Sequence, residues 1–230
     1  MLEKNWKKTL SKNIDKVAGK HIADCIMDKV NKTNNSDDPE ETIEWINQVI
    51  SSMKTQLTTD QISDVFYGCS CRYPMGKLLQ ARQVFLKNEC IDDVLSELQN
   101  QFESSLRDGM LFEPEVVNWI LQNGMGVAGN RKGNQIFVTK VPKSGNLRKY
   151  ITEEQPQAQR NLYCHCSRIS DALAMGITVS EDYCLCGAGF YRFIWETILQ
   201  QKVDVKIVET ICSGGNVCSF RIQLPESISV

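Results

Sequence analysis

Apolar residues step by three and four through the first half of this chain and alternate near its end, which predicts helices first and a strand pair last. Trp6, Leu10, Ile14 and Val17 share one helix face. The polar run Asn31–Asp38 breaks that pattern. Asp38, Pro39 and Glu41 then supply a cap, a first-turn proline and a capping-box acid. Ile43, Ile46, Val49, Ile50 and Met53 form the stripe of the helix that follows. Thr58 with Gln61 makes a second capping box, with Gly68 as the predicted stop. The segment Gly68–Gly76, GCSCRYPMG, reads as a loop or turn. Further helices are predicted near Lys77–Lys87, Ile91–Arg107 and Glu113–Gln122, the last ending at Gly124.

The period then changes. Gly124–Asn134 is glycine-rich and leads into a β-branched run, Gln135–Pro142, that reads as a strand. Lys143–Asn146 is a turn, Lys149–Arg160 is polar and irregular around Pro156, and Tyr163–Arg168 is short and extended. Tyr183–Gln200 starts with cysteines and glycines and continues as a helix lined by Phe190, Ile194, Ile198 and Leu199. Val203–Ile211 and Val217–Leu224 alternate on either side of a hairpin loop, Cys212–Asn216. The expected fold class is therefore α+β. Residues 1–123 read as a helical region and 124–230 as an α+β domain holding a Cys-rich site, the two being separate or one continuous domain.

Bulk properties narrow the function. Of 230 residues, 42% are hydrophobic and 23% charged, ordinary for a chain with a sizeable core. A net charge of −2 gives no basic excess for nucleic acid and no acidic excess for disorder. Met1–Lys20 is lysine-rich without a long apolar run, so neither a signal peptide nor a membrane span is expected there. No stretch nears the roughly 18 apolar residues a span needs. A cytoplasmic location without membrane partners follows, and the apolar first half leaves a homodimer open.

In a reducing compartment, ten cysteines are not a disulfide framework. Six of them form three Cys-x-Cys pairs: Cys69/Cys71, Cys164/Cys166 and Cys184/Cys186. The two thiols of such a pair rarely bond each other, because the ring is strained. With His165 between Cys164 and Cys166, the pairs supply seven thiolate or imidazole ligands, a soft set suited to zinc or iron. Cys184 and Cys186 precede a predicted helix start, where the helix dipole favours thiolate. A metal site, a reactive-thiol or ligand pocket, and plain packing of small buried side chains are all open. His21 reads as structural.

Basic residues accompany the cysteines. Arg72 follows Cys71, and Arg168 lies two residues beyond Cys166. Lys140, Lys143, Arg148, Lys149 and Arg160 precede the second pair. Arginine's planar fork suits a carboxylate or phosphate, so thiols beside arginines predict a small anionic ligand. Gly187 and Gly189 place backbone amides near the same helix start. They form no complete nucleotide-binding pattern and read as permitting close packing or a sharp helix entry.

The segment from Gly187 to Leu224, with GFYRFIWETIL, VDVKIVE and GGNVCSFRI, resembles the 4-vinyl reductase family of small-molecule-binding domains. Gly214, Cys218 and Phe220 match that family's motif, and Gly215 stands where an aspartate is usual. Glu209, Cys212 and Cys218 are similar in type to a zinc set in phenol-sensing relatives. With GCSCRYP, GNQIFVTKVPKSGN, YCHCSRISD and YCLCGAGFY, the chain resembles a bacterial family related to that superfamily, and is similar to L-2-aminothiazoline-4-carboxylate hydrolases. The resemblance implies an antiparallel sheet packed by helices with a ligand pocket between them.

Two functions are expected from this pattern. One is a sensor-like module that binds a small molecule or a metal, zinc or iron, through Cys69, Cys71, Cys164, His165, Cys166, Cys184 and Cys186. Arg72, Arg168, Lys140, Gly187 and Gly189 would then hold an anionic ligand. The other is a thiol-dependent hydrolase acting on a small carboxylate-bearing amide or amidine. In it Cys184 or Cys186 attacks, His165 is the base, and backbone amides hold the oxyanion. A redox relay between the pairs ranks below both, since no thioredoxin-like Cys-x2-Cys occurs.

Overall fold

The computed structural model describes residues 2–30 and 38–228. Helix α1 (Leu2–Ala18) buries Leu10 and Ile14 and leaves Trp6 and Val17 half-buried. Gly19, at φ +85°, lets the chain start α2 (Lys20–Val30) at once. Residues 31–37 of the expected break lie outside the described part. His21 is exposed, so it is not the core histidine its helical position suggested. Asp38 caps α3 (Pro39–Gln56) by accepting the amides of Glu40 and Glu41. All five stripe residues of α3 are buried to 1% exposure or less.

The capping box of Thr58 and Gln61 opens α4 (Thr59–Cys69). Gly68 does not stop that helix. A Cβ there would lie 2.3 Å from Asn13 Oδ1, so the glycine serves a close approach of α1 instead. Only 70–74 of the expected loop is irregular, and Met75 already begins α5 (Met75–Asn88).

Glu89 ends α5 in the left-handed region, and α6 (Ile91–Ser104) follows. One π turn, Ser105–Gly109, continues α6. Lys77 of α5 donates to the Gln101 carbonyl at 2.9 Å and to the Ser105 hydroxyl, satisfying acceptors where the helical bonding pattern changes. Helix α7 (Pro114–Gln122) leads to Gly124 at φ +62°.

Two short strands follow, β1 (Asn130–Lys132) and β2 (Gln135–Thr139). A three-residue polar strand such as β1 has no alternation to read and went unpredicted. The segment expected to be irregular instead folds as α8 (Leu147–Thr152) and α9 (Pro156–Tyr163). Pro156 is the first residue of α9, a position where its missing N–H costs nothing. Helix α10 (Ser167–Met175) occupies part of the run read as extended. A 3-10 turn (Glu181–Cys184) then enters α11 (Leu185–Leu199). Strands β3 (Asp204–Glu209) and β4 (Ser219–Gln223) form the expected hairpin.

The fold is α+β, with an antiparallel sheet in the order β1-β2-β4-β3. Its register pairs Ile136 with Ile222 and Val138 with Phe220, and sets Val205 opposite Ile222. These side chains are buried, and Tyr191 of α11 packs its ring 5.2 Å from Phe220. No described helix is long and apolar enough to cross a membrane.

The chain divides into two compact units that interleave in sequence. The first comprises Met1–Cys71 and Cys164–Gly189 and is helical. The second comprises Arg72–Tyr163 and Phe190–Val230 and holds the sheet. The boundary between the units runs through α11. All three Cys-x-Cys pairs fall in the first unit.

Candidate functional site

The first unit brings one thiol against a phenol and a guanidinium. Cys166 is the N-cap of α10, and its half-buried sulfur sits at the positive end of that helix. Its Sγ lies 3.2 Å from the Tyr183 hydroxyl. Arg168 Nη1 donates to that hydroxyl at 2.9 Å and to Cys166 Sγ at 3.7 Å. The guanidinium lies 4.5 Å from the centre of the Trp6 ring, a cation–π contact. Trp6 and Tyr183 in turn meet at 5.5 Å between ring centres.

Local sequence explains how Tyr183 is held. Gly176, at φ +70°, ends α10 and turns the chain back. The Asn47 side chain of α3 donates to the Thr178 carbonyl at 2.8 Å and accepts the Ser180 amide at 2.9 Å. Asp182 pairs with Lys54 of α3 at 2.5 Å and accepts the Ser180 hydroxyl. The 3-10 turn is thereby tied to α3, and Tyr183 packs edge-on to Phe66 of α4. Gly189 completes the seating, because a Cβ there would lie 2.8 Å from the Tyr67 Cα. Of the two readings of this glycine, close packing and a sharp helix entry, the close approach to α4 favours the first.

Burial holds the Tyr183 phenol well above the usual tyrosine range. The Cys166 and Cys186 sulfurs push the same way, and the Arg168 guanidinium opposes them. The phenol therefore keeps its proton at any physiological pH. With Arg168 already donating to its oxygen, that proton is available to the Cys166 sulfur, an Arg–Tyr–Cys chain in a partly desolvated setting.

The other predicted residues fall as follows. Cys69 Sγ accepts from the Asn13 side chain at 3.4 Å. Cys71 and His165 are exposed, while Cys164, Cys184 and Cys186 are half-buried. Cys186 lies within the first turn of α11 rather than before it, and Cys184 closes the 3-10 turn. Gly187 is buried in the same turn of α11. Among the described residues no three His, Cys, Asp or Glu side chains converge as a metal-holding group. A guanidinium beside Cys166 also disfavours a cation at that sulfur.

Arg72 and Lys140 belong to the second unit. Arg72 stacks 4.4 Å from the centre of the Phe193 ring. Lys140 enters the bonding through its backbone, which bonds Cys218 and accepts from the buried Tyr163 hydroxyl. Arg160 donates to the carbonyls of Ile211 and Gly215 and so braces the β3–β4 loop. Glu209, named by the resemblance as a zinc donor, accepts the Asn216 amide of that loop at 2.6 Å. The second unit also has a cleft of about 310 Å³ near Ser96, Gln99, Met125 and Asn130. No charged side chain lines it, so it does not match the anionic ligand expected from sequence.

Sequence reasoning missed Trp6 and Tyr183 as site residues. Trp6 was read as a core position, and Tyr183 was seen only as the residue before a cysteine. A tyrosine directly before two of the three Cys-x-Cys pairs, in YCHC and YCLC, was the available signal. No family model matches the chain, and no curated protein or solved structure is detectably similar to it.

Proposed function

We propose that this chain binds a small anionic molecule, a carboxylate, at the cluster of Cys166, Arg168, Tyr183 and Trp6, with the Cys166 thiol facing the ligand. The observation that carries this reading is the guanidinium held between an aromatic ring, a neutral phenol and a sulfur. Arginine binds carboxylates through a planar fork, and stacking on Trp6 fixes that plane. Partial desolvation strengthens the attraction for an anion. Tyr183 adds a neutral donor, and Cys166 adds a soft, polarisable contact.

Thermal stabilisation by a panel of small carboxylates, with inorganic phosphate for comparison, tests the proposal. A ligand at about a hundred times its Kd adds about 2.7 kcal/mol to stability. Carboxylates bearing a soft or apolar group should raise Tm by several degrees in the native chain. The rise should vanish in Arg168→Gln and persist in part in Arg168→Lys. Equal stabilisation of native protein and Arg168→Gln would reject the site. Elemental analysis of the same preparation tests the zinc or iron expected from the cysteine count.

A further inference from the structure

The anion-site proposal gives no role to Cys186, the thiol three residues beyond Tyr183. Tyr183 and Cys186 are three residues apart along a continuous helical path, from the 3-10 turn into α11, and so face the same side. Tyr183 feels the sulfurs of both Cys166 and Cys186. Cys166 approaches its hydroxyl from α10, and Cys186 is carried by α11.

We infer that Cys166 is a peroxide-reactive thiol and that Cys186 resolves it, so that the cluster is a reversible oxidation site. The inference rests on the same Arg168–Tyr183–Cys166 cluster as the proposed function and adds its regulation. Its co-reactants are a peroxide, hydrogen peroxide or a small organic hydroperoxide, and a dithiol reductant.

In the first step the Cys166 sulfur attacks one peroxide oxygen. An S–O bond forms and the O–O bond breaks. Sulfur loses two electrons, and the leaving oxygen takes the thiol proton to depart as water or an alcohol. Arg168 and Tyr183 donate hydrogen bonds where charge develops on the departing oxygen. In the second step the Cys186 sulfur attacks the Cys166 sulfenic acid. An S–S bond forms, the S–O bond breaks, and water leaves with the Cys186 proton. A dithiol then reduces the disulfide and is itself oxidised. A disulfide between α10 and α11 would hold the two sulfurs against Tyr183 and take Cys166 away from a ligand on Arg168.

The test uses the full chain, fully reduced and then exposed to hydrogen peroxide below thiol stoichiometry. Remaining thiols are alkylated and the digest is read by mass spectrometry. The expected first product is a peptide pair joined through Cys166 and Cys186. In Cys186→Ser, Cys166 should instead be trapped by dimedone as sulfenic acid. Arg168→Gln should slow the reaction about tenfold, the change expected from loss of one charge-assisted hydrogen bond, and Arg168→Lys should restore part of the rate. Oxidation of Cys166 no faster than exposed Cys71, or its pairing with any other cysteine, would overturn the inference. Carboxylate binding is scored separately by thermal shift on reduced protein, so either idea can fail while the other stands.

Discussion

Gly189→Ala separates packing from helix propensity at the helix that carries Cys186. Alanine is the better helix former, by about 1 kcal/mol. At Gly189, however, the added methyl would lie 2.8 Å from the Tyr67 Cα, 3.2 Å from the Ser70 Cβ and 3.4 Å from the Phe66 carbonyl. Two of these are backbone atoms, so α4 and α11 must separate rather than a side chain swing away. Overpacking of this kind costs about 1–3 kcal/mol. Net of the propensity gain, the expectation is a loss of up to about 2 kcal/mol, which in a unit of roughly a hundred residues lowers Tm by about 4–8 °C per kcal/mol. Gly76→Ala is the control. Nothing lies within 4 Å of a Cβ at that helical position, so the variant should be neutral or gain stability. Calorimetry of both variants against the parent reads the result. Because Phe66 and Tyr183 pack together, the same strain should alter the alkylation rate of Cys166 in Gly189→Ala. A Gly189→Ala protein as stable as the parent or more so, with unchanged Cys166 chemistry, would refute the close crossing of α4 and α11.

Other consequences follow from the second unit and from the buried phenols. Arg160→Ala removes two charged hydrogen bonds to loop carbonyls and should cost about 2 kcal/mol, read by denaturant unfolding. Gly215→Asp introduces a carboxylate into the β3–β4 loop. Its Cβ would meet the Glu209 side chain at 2.3 Å and its carboxylate would repel it, so a loss of at least about 1 kcal/mol is expected, and a gain would place Glu209 elsewhere. Burial holds the Tyr163 and Tyr191 phenols above the ordinary value of 10.0. These tyrosines stay protonated when folded and ionise when unfolded, so their stabilisation is whole below pH 10 and is lost as pH rises beyond it. Each should reduce stability by about 1.4 kcal/mol per pH unit in that range, and phenolate absorbance should appear together with unfolding rather than before it.

Much of the fold was legible because its signals are local. The Asp38 and Thr58 caps, the α3 stripe and the alternation of β3 and β4 each depend on a few neighbouring residues. What was missed depended on contacts far along the chain. Gly68 looked like a helix stop because its partner, Asn13, lies 55 residues away. Helices α8 and α9 were hidden by polar exposed faces and by a proline that sits harmlessly at a helix start. At the site, Cys166 and Arg168 were legible from YCHCSR. Their spacing could not show that Arg168 would lie over Trp6 or that the Tyr183 hydroxyl would meet the Cys166 sulfur. Nor could the pattern separate a metal cluster from a single engaged thiol, since both use the same residue types.

The most direct test compares iodoacetate with iodoacetamide at each cysteine of the native chain. The two reagents have the same leaving group and differ in a carboxylate. If Arg168 gathers carboxylates beside Cys166, that thiol alone should prefer iodoacetate, relative to exposed Cys71 as the internal standard, and the preference should disappear in Arg168→Gln. An iodoacetate preference at Cys166 no greater than at Cys71, or one that survives loss of Arg168, would contradict the account.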